Sequence, residues 1–142
     1  MTLAQALRDR LLACPPVVAR VGLRIYTLKF PQSLTPPALR LTEIDRVSAM
    51  QLRGDIRIRR ARVQVDAVEA EGHGDPYDLA HALADDVRGD LTSGTPSGLV
   101  GFRGTQSGVE IAEILADGRR ERYDGESHLV RVEQDFVVWF HV

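Results

Sequence analysis

A chain of 142 residues can build one domain with a substantial core and is too short for two ordinary ones. Its balance of 44% hydrophobic and 27% charged residues is that of a globular fold, and a formal net charge of -2 argues against wholesale binding of polyanions. No apolar run approaches the roughly 20 residues that span a bilayer, and no signal-peptide core opens the chain, so the expected setting is a cytoplasm, without processing or membrane attachment.

The opening "TLAQALRDRLLACPP" places Thr2 and Gln5 at capping-box spacing and sets Leu3, Leu7 and Leu11 along one face. Pro15 and Pro16 should stop this helix. Cys14, the sole cysteine, excludes an intramolecular disulfide and a thiolate cluster and reads as a small buried apolar residue. "LRIYTLKF" has strand composition and ends at Pro31, and "ALRLTEID" alternates as a second strand after Pro36 and Pro37. "RVSAMQLRGD" carries few core signals, so a projecting arm is expected over about residues 46–56. From Asp55 to Ala70 a long strand is expected, with Ile56 and Ile58 on one parity and Val63, Val65 and Ala67 on the other. A bulge near Arg60 would bring both sets to one core.

In "EGHGDPYDLAHALADDV", Asp75 is a good N-cap, Pro76 sits at the first helical position and Asp78 favours the positive helix end. Leu79, Ala80, Leu83, Ala84, Val87 and Leu91 form one apolar stripe. The glycine-rich segment over about residues 92–108 is too long for an ordinary connection and reads as a flexible docking loop, with Thr95, Leu99, Phe102 and Arg103 as its candidate contacts. "VEIAEIL" and "HLVRVEQDFVVWFHV" complete the strands as a hairpin through "ADGRRERYDGES". Val130, Val132, Phe136, Val138 and Phe140 line one face of the last strand, while "VVWF" is apolar on both faces and should be buried twice. The order predicts a single α+β domain over residues 1–142: a mostly antiparallel sheet of four to five strands with two α-helices packed on one face.

Glu71, His73, Asp75, His81 and Asp85 share one window, but a two-histidine zinc helix needs a second histidine four residues from His81, and Tyr77 and Asp85 stand there. His81 and Asp85 fall on the helix face opposite Leu83 and Val87 and should point to water. The glycine-rich loop lacks the lysine of a phosphate-binding loop, and "GTPSG" and "GTQSG" place serine one position late for a hydrolase elbow. No histidine has the neighbours that catalysis requires, so no enzyme, metal or cofactor is expected. Arg53, Arg57, Arg59, Arg60 and Arg62 form the densest charge cluster. They suit a solvated edge, subunit or partner contacts, or phosphate contacts, and their spread over two faces without interleaved aromatics disfavours a nucleic-acid platform.

Taken in order, "RIYTLKFPQSLTPPALRL", a charged arm, "RARVQVDAVEA", the capped helix "DPYDLAHALADDVRGDL", a glycine-rich loop and "LVRVEQDFVVWFHV" resemble the bacteriophage tail-completion family, the tail terminators or head-to-tail joining proteins of long-tailed phages. The similarity spans nearly the whole chain and departs from the family at the arm (46–56) and the loop (92–108). The resemblance implies a non-enzymatic virion protein at the neck, made in the host bacterial cytoplasm. Its implied form is a homo-hexameric ring on the head-proximal end of the tail tube that ends tube polymerisation, meets the tube protein and the head connector or stopper, and lets DNA pass without sequence-specific binding. A ring needs two different patches per subunit. The candidates are Arg53, Arg57, Arg59 and Arg60 on one side and the acidic helix face Asp85, Asp86 and Asp90 on the other, with Val137 and Trp139 supplying apolar contact. The alternatives are a head-side stopper or adaptor and a small ligand-binding regulatory α+β domain.

Overall fold

The computed structural model describes residues 2–48, 58–72, 74–92 and 94–141. Helix α1 (Leu3–Leu12) opens with a reciprocal cap: the Gln5 N–H donates to the Thr2 hydroxyl at 3.1 Å and the Thr2 N–H to the Gln5 side chain at 3.0 Å. Its Leu3, Ala6, Leu7 and Leu11 are buried. The two prolines that should only stop α1 instead begin a second helix, α2 (Pro15–Val21). Proline has a helical φ already, and the first turn has no use for its missing N–H, so the residue that breaks a helix interior suits a helix start. Cys14 lies buried between the two helices, and burial pushes its thiol pKa up.

The strands are β1 (Ile25–Thr27), β2 (Ala38–Ser48) and β3 (Ile58–Ala70), followed by helix α3 (Pro76–Arg88). A short ribbon of β4 (Leu91–Thr92) and β5 (Thr95–Pro96) precedes β6 (Gly104–Gln106), β7 (Val109–Asp124) and β8 (Leu129–His141). The main sheet has the order β1-β2-β3-β8-β7-β6. Its β1–β2 pair is parallel and the rest are antiparallel. The fold is α+β, but not the four to five mostly antiparallel strands with two helices that the pattern predicts. Among the described residues strand predominates, in a curled, mixed half-barrel of six strands accompanied by three helices. β1 lies within the expected strand "LRIYTLKF", whereas the added strand β6 escapes a sequence reading because three residues are too few to show alternation.

The bulge also lies elsewhere than expected. From Ile58 to Ala70 β3 runs unbroken against β8, and the extra residue is Ile44 of β2, between Glu43 and Asp45. An insertion in β3 would disturb ladders on both sides, whereas beyond Leu41 strand β2 has a partner on one side only among the described residues. Ile58 consequently stays on the face of Arg60. A second irregularity, between Ala116 and Arg119 with Gly118 at φ 122°, lets β7 continue through "GRRERYD" to Asp124, so the hairpin turn is only residues 125–128.

Asp75 caps α3 by accepting from the Tyr77 N–H at 3.0 Å, and Ala80, Leu83, Ala84 and Val87 enter the core. Leu91 lies beyond the helix, half exposed. The core joins these helix residues to Ala61, Val63, Val65 and Ala67 of β3 and to Val130, Val132, Phe136, Val138 and Phe140 of β8. Two glycines fix the path beyond α3. A Cβ on Gly98 would stand 2.6 Å from the Val87 carbonyl oxygen and 2.8 Å from the Gly89 nitrogen, so only glycine allows these backbones to touch. That contact lets the Leu99 N–H donate to Val87 at 2.9 Å and seats Leu99 fully in the core.

Gly98→Ala should therefore lower stability by about 2 kcal/mol or more, because backbone cannot move aside as a side chain can. Gly125→Ala, whose nearest neighbour would be a Tyr123 ring carbon at 3.9 Å, should be close to neutral. Urea unfolding of both variants followed by circular dichroism measures the difference.

Candidate functional site

Alternate residues of a strand go to opposite faces, so pairing register decides what the sheet shows on the side away from the core. Five rows cross that face. The first holds Val47, Arg60, Trp139 and Glu113; the second Asp45, Arg62, Val137 and Leu115; the third Thr42, Gln64 and Asp135. Arg40, Asp66, Glu133 and Arg120 make the fourth, and Ala38, Val68, Arg131 and Arg122 the fifth.

The first two rows are an apolar patch rimmed by charge. Val47 is 48% and Leu115 46% exposed, with Val137 and Trp139 half-buried between them. The Arg60 guanidinium lies 5.8 Å from the centre of the Trp139 ring, a cation–π arrangement. Arg62 crosses to Asp117 at 2.6 Å and Asp135 at 3.3 Å.

The middle rows hold carboxylates that are buried although no helix among the described residues covers them. Asp66 is 0%, Glu133 5% and Asp135 9% exposed. Their cover is the arginines that neutralise them: Arg40 grips Asp66 through Nε at 2.8 Å and again through Nη2, Arg122 binds Glu133, and Arg120 reaches Asp135 at 3.2 Å. Gln64 donates to Asp66 at 2.7 Å and Glu133 at 2.6 Å and accepts from Arg120 at 2.7 Å. Buried ions of this kind are tolerable only when every lone pair is met. The carboxylate partners hold Arg62 and Arg120 above the ordinary arginine pKa, with the hydrogen bonds to Asp117 and Asp135 respectively the leading cause.

On the core side the acidic helix face is spent inside the chain. Asp86 pairs with Arg20, Asp85 with Arg119 at 2.8 Å, and Asp90 accepts from the Leu91 N–H at 2.9 Å. His81 does not point freely to water: its side chain is 23% exposed and its ring lies 4.6 Å from that of Tyr77. A guanidinium can only donate, so the 3.2 Å contact with Arg119 makes His81 Nδ1 an acceptor and leaves the proton on Nε2, facing Glu121 at 3.6 Å. A hydrogen bond to Glu121 raises the Tyr77 pKa.

Of the loop residues, Leu99 is core, and the Phe102 ring lies 4.4 Å under the Arg10 guanidinium, which also donates to Pro96 and Gly98 carbonyls. Thr95 pairs with Thr92 in the ribbon, and exposed Arg103 faces Glu113 at 3.7 Å. Arg59 lies opposite Phe140, on the other face from Arg60. Arg53 and Arg57, most of the arm, and His73 lie outside the described residues. The structure thus brings Arg60, Val137 and Trp139 together and keeps Asp85, Asp86 and Asp90 apart from them. Sequence reasoning missed Gln64, Asp66, Glu133 and Asp135, whose period-2 polar pattern looks like an ordinary wetted face. The signal that could have found them is the matching run "GRRER" in the neighbouring strand. Among the described residues no three His, Cys, Asp or Glu side chains gather as a metal set.

The chain matches the family model described as Tail completion protein gp17 over residues 5–141. No curated protein matches it. It is similar in fold to a chain from the virion of a native gene transfer agent particle, with a TM-score of 0.76 at 20% identity over 99% of this chain and 95% of that one. A second solved structure, 18% identical over 97% of this chain and 96% of its own, gives a TM-score of 0.48, too low to compare folds.

Asp66→Asn keeps the shape of the side chain but leaves Arg40 without its counter-charge, and should cost about 3 kcal/mol. Glu126→Gln, at the exposed hairpin turn, should stay within about 0.5 kcal/mol. Chemical denaturation at neutral pH reads both.

Proposed function

The chain belongs to the tail completion protein gp17 family of phage tail structural proteins, and from that premise we propose that it closes into a ring, hexameric as the family resemblance implies, on the head-proximal end of the tail tube. There it ends tube polymerisation, meets the head connector, and leaves a channel for DNA. One observation carries the reading: the apolar patch of Val47, Leu115, Val137 and Trp139 lies on a sheet face that no helix among the described residues covers. Apolar side chains gathered at a rim of charge suit protein contact, and a central aromatic with an arginine beside it is the usual anchor of such contact. The salt bridges around it contribute register more than affinity, since exposed pairs give only about 0 to 1 kcal/mol each.

The charge arrangement supports passage of DNA without specific binding. Arg40, Arg62, Arg120 and Arg122 are taken by carboxylates of the same face, which leaves few of them for phosphates. The edges of the sheet suit side-by-side assembly. Among the described residues β7 is paired on one side only beyond Ile111, and charges along "GRRERYD" keep that edge from indiscriminate pairing.

Trp139→Glu should weaken ring assembly, alone or on purified tubes, by at least about tenfold while leaving the monomer folded. Native mass spectrometry and negative-stain images give the assembly state, and particles carrying the variant should show heads and tails unjoined. Rings and joined particles at normal yield from a Trp139→Glu chain would remove this surface from the mechanism.

A further inference from the structure

The fifth row sets Arg131 of β8 directly opposite Arg122 of β7. Like charges in that position cost stability unless each has its own anion. Arg122 has Glu133. Arg131 has no comparable partner: among the described residues its Nε is shielded from solvent and finds no hydrogen-bond acceptor. A buried donor left unmet is a cost to the fold that holds it. Asp124 feels its field, but that carboxylate is already engaged by Ser127 and by the Glu126 N–H at 3.0 Å.

Both arginines line a cleft of about 490 Å³ on the uncovered face, between the β7–β8 turn at Ser127 and Phe30 in the β1–β2 loop. Val68 and Leu129 add apolar lining. We propose that this cleft binds a carboxylate group on a short apolar stem, its two oxygens on the Arg131 guanidinium and its stem against Val68, Leu129 and Phe30. The charge balance selects the ligand. The charged groups of the lining itself, Arg122 and Arg131 against Asp124, leave about one positive charge, which Glu133 behind Arg122 reduces further. A phosphate dianion would bring a second negative charge against those two acids. A carboxylate carries one, and its oxygens fit the fork of a guanidinium. The inference stands apart from ring closure and holds whether the carboxylate is a protein side chain or a small free acid.

The test follows the Arg131 Nε–H resonance of the ¹⁵N-labelled full chain during titration with N-acetylglutamate amide, hexanoate and inorganic phosphate. The resonance should shift saturably with both carboxylates, each binding at least about tenfold more tightly than phosphate. Tighter N-acetylglutamate amide identifies a protein side chain as the natural source, and tighter hexanoate a free acid. Arg131→Lys, which keeps the charge and loses the fork, should weaken binding about tenfold, and Arg88→Gln on the helix side should not change it. Arg131→Gln should unfold at the same temperature as the parent or higher, as expected for a residue kept for binding. Absence of a saturable shift, phosphate binding as tightly as the carboxylates, or a lowered Tm for Arg131→Gln would each overturn the proposal.

Discussion

The unbroken ladder between β3 and β8, thirteen residues on each strand, is the constraint on which the rest depends. Every inward side chain of one strand meets an inward side chain of the other: Ala61 with Val138, Val63 with Phe136, Ala67 with Val132. The same register aligns Arg60 with Trp139, Arg62 with Val137 and Asp66 with Glu133 on the outside. A slip of one residue would send the whole apolar set to the wrong face and bury charge against the helices. The irregularities of the sheet, at Ile44 in β2 and at Ala112 and Gly118 in β7, occur in the flanking strands, where they bend the sheet without disturbing the central pair.

Burial on the uncovered face comes from the charged side chains themselves. Arg40, Arg120 and Arg122 lie over Asp66, Asp135 and Glu133, so long polar residues perform the shielding that a helix performs on the other side. Such a network adds little net stability compared with an apolar layer of the same volume. What it supplies is alignment, because three acids and their arginines on four strands can be satisfied together in one register only. The apolar rows beside it are then presented in a fixed position, which a surface for protein contact requires.

The glycine-rich segment has a similar division of labour. Leu99 and the Gly89–Gly98 contact hold it to the body of the fold, Arg10 clamps it through two carbonyls, and Arg103 remains at the surface. A change at Arg103 can alter a contact without touching the core, while a change at Leu99 or Gly98 reaches every element packed around α3.

What the sequence by itself determined is everything written in local or periodic terms. The Thr2 and Asp75 caps, the α3 stripe from Ala80 to Val87, and the inward set from Val130 to Phe140 each follow from steric and hydrogen-bonding rules that act within a few residues. The order of those elements was enough to suggest the family that the whole-chain comparison then established. Tertiary structure alone decided the rest. A strand as short as β6 has no period to read, Pro15 either ends one helix or starts another depending on what lies against it, and "GRRERYD" became strand because acids on β8 were there to receive its arginines. Burial of Asp66, Glu133 and Asp135 is likewise a property of pairing: a carboxylate carries no mark of its own exposure until the chain has placed a guanidinium over it.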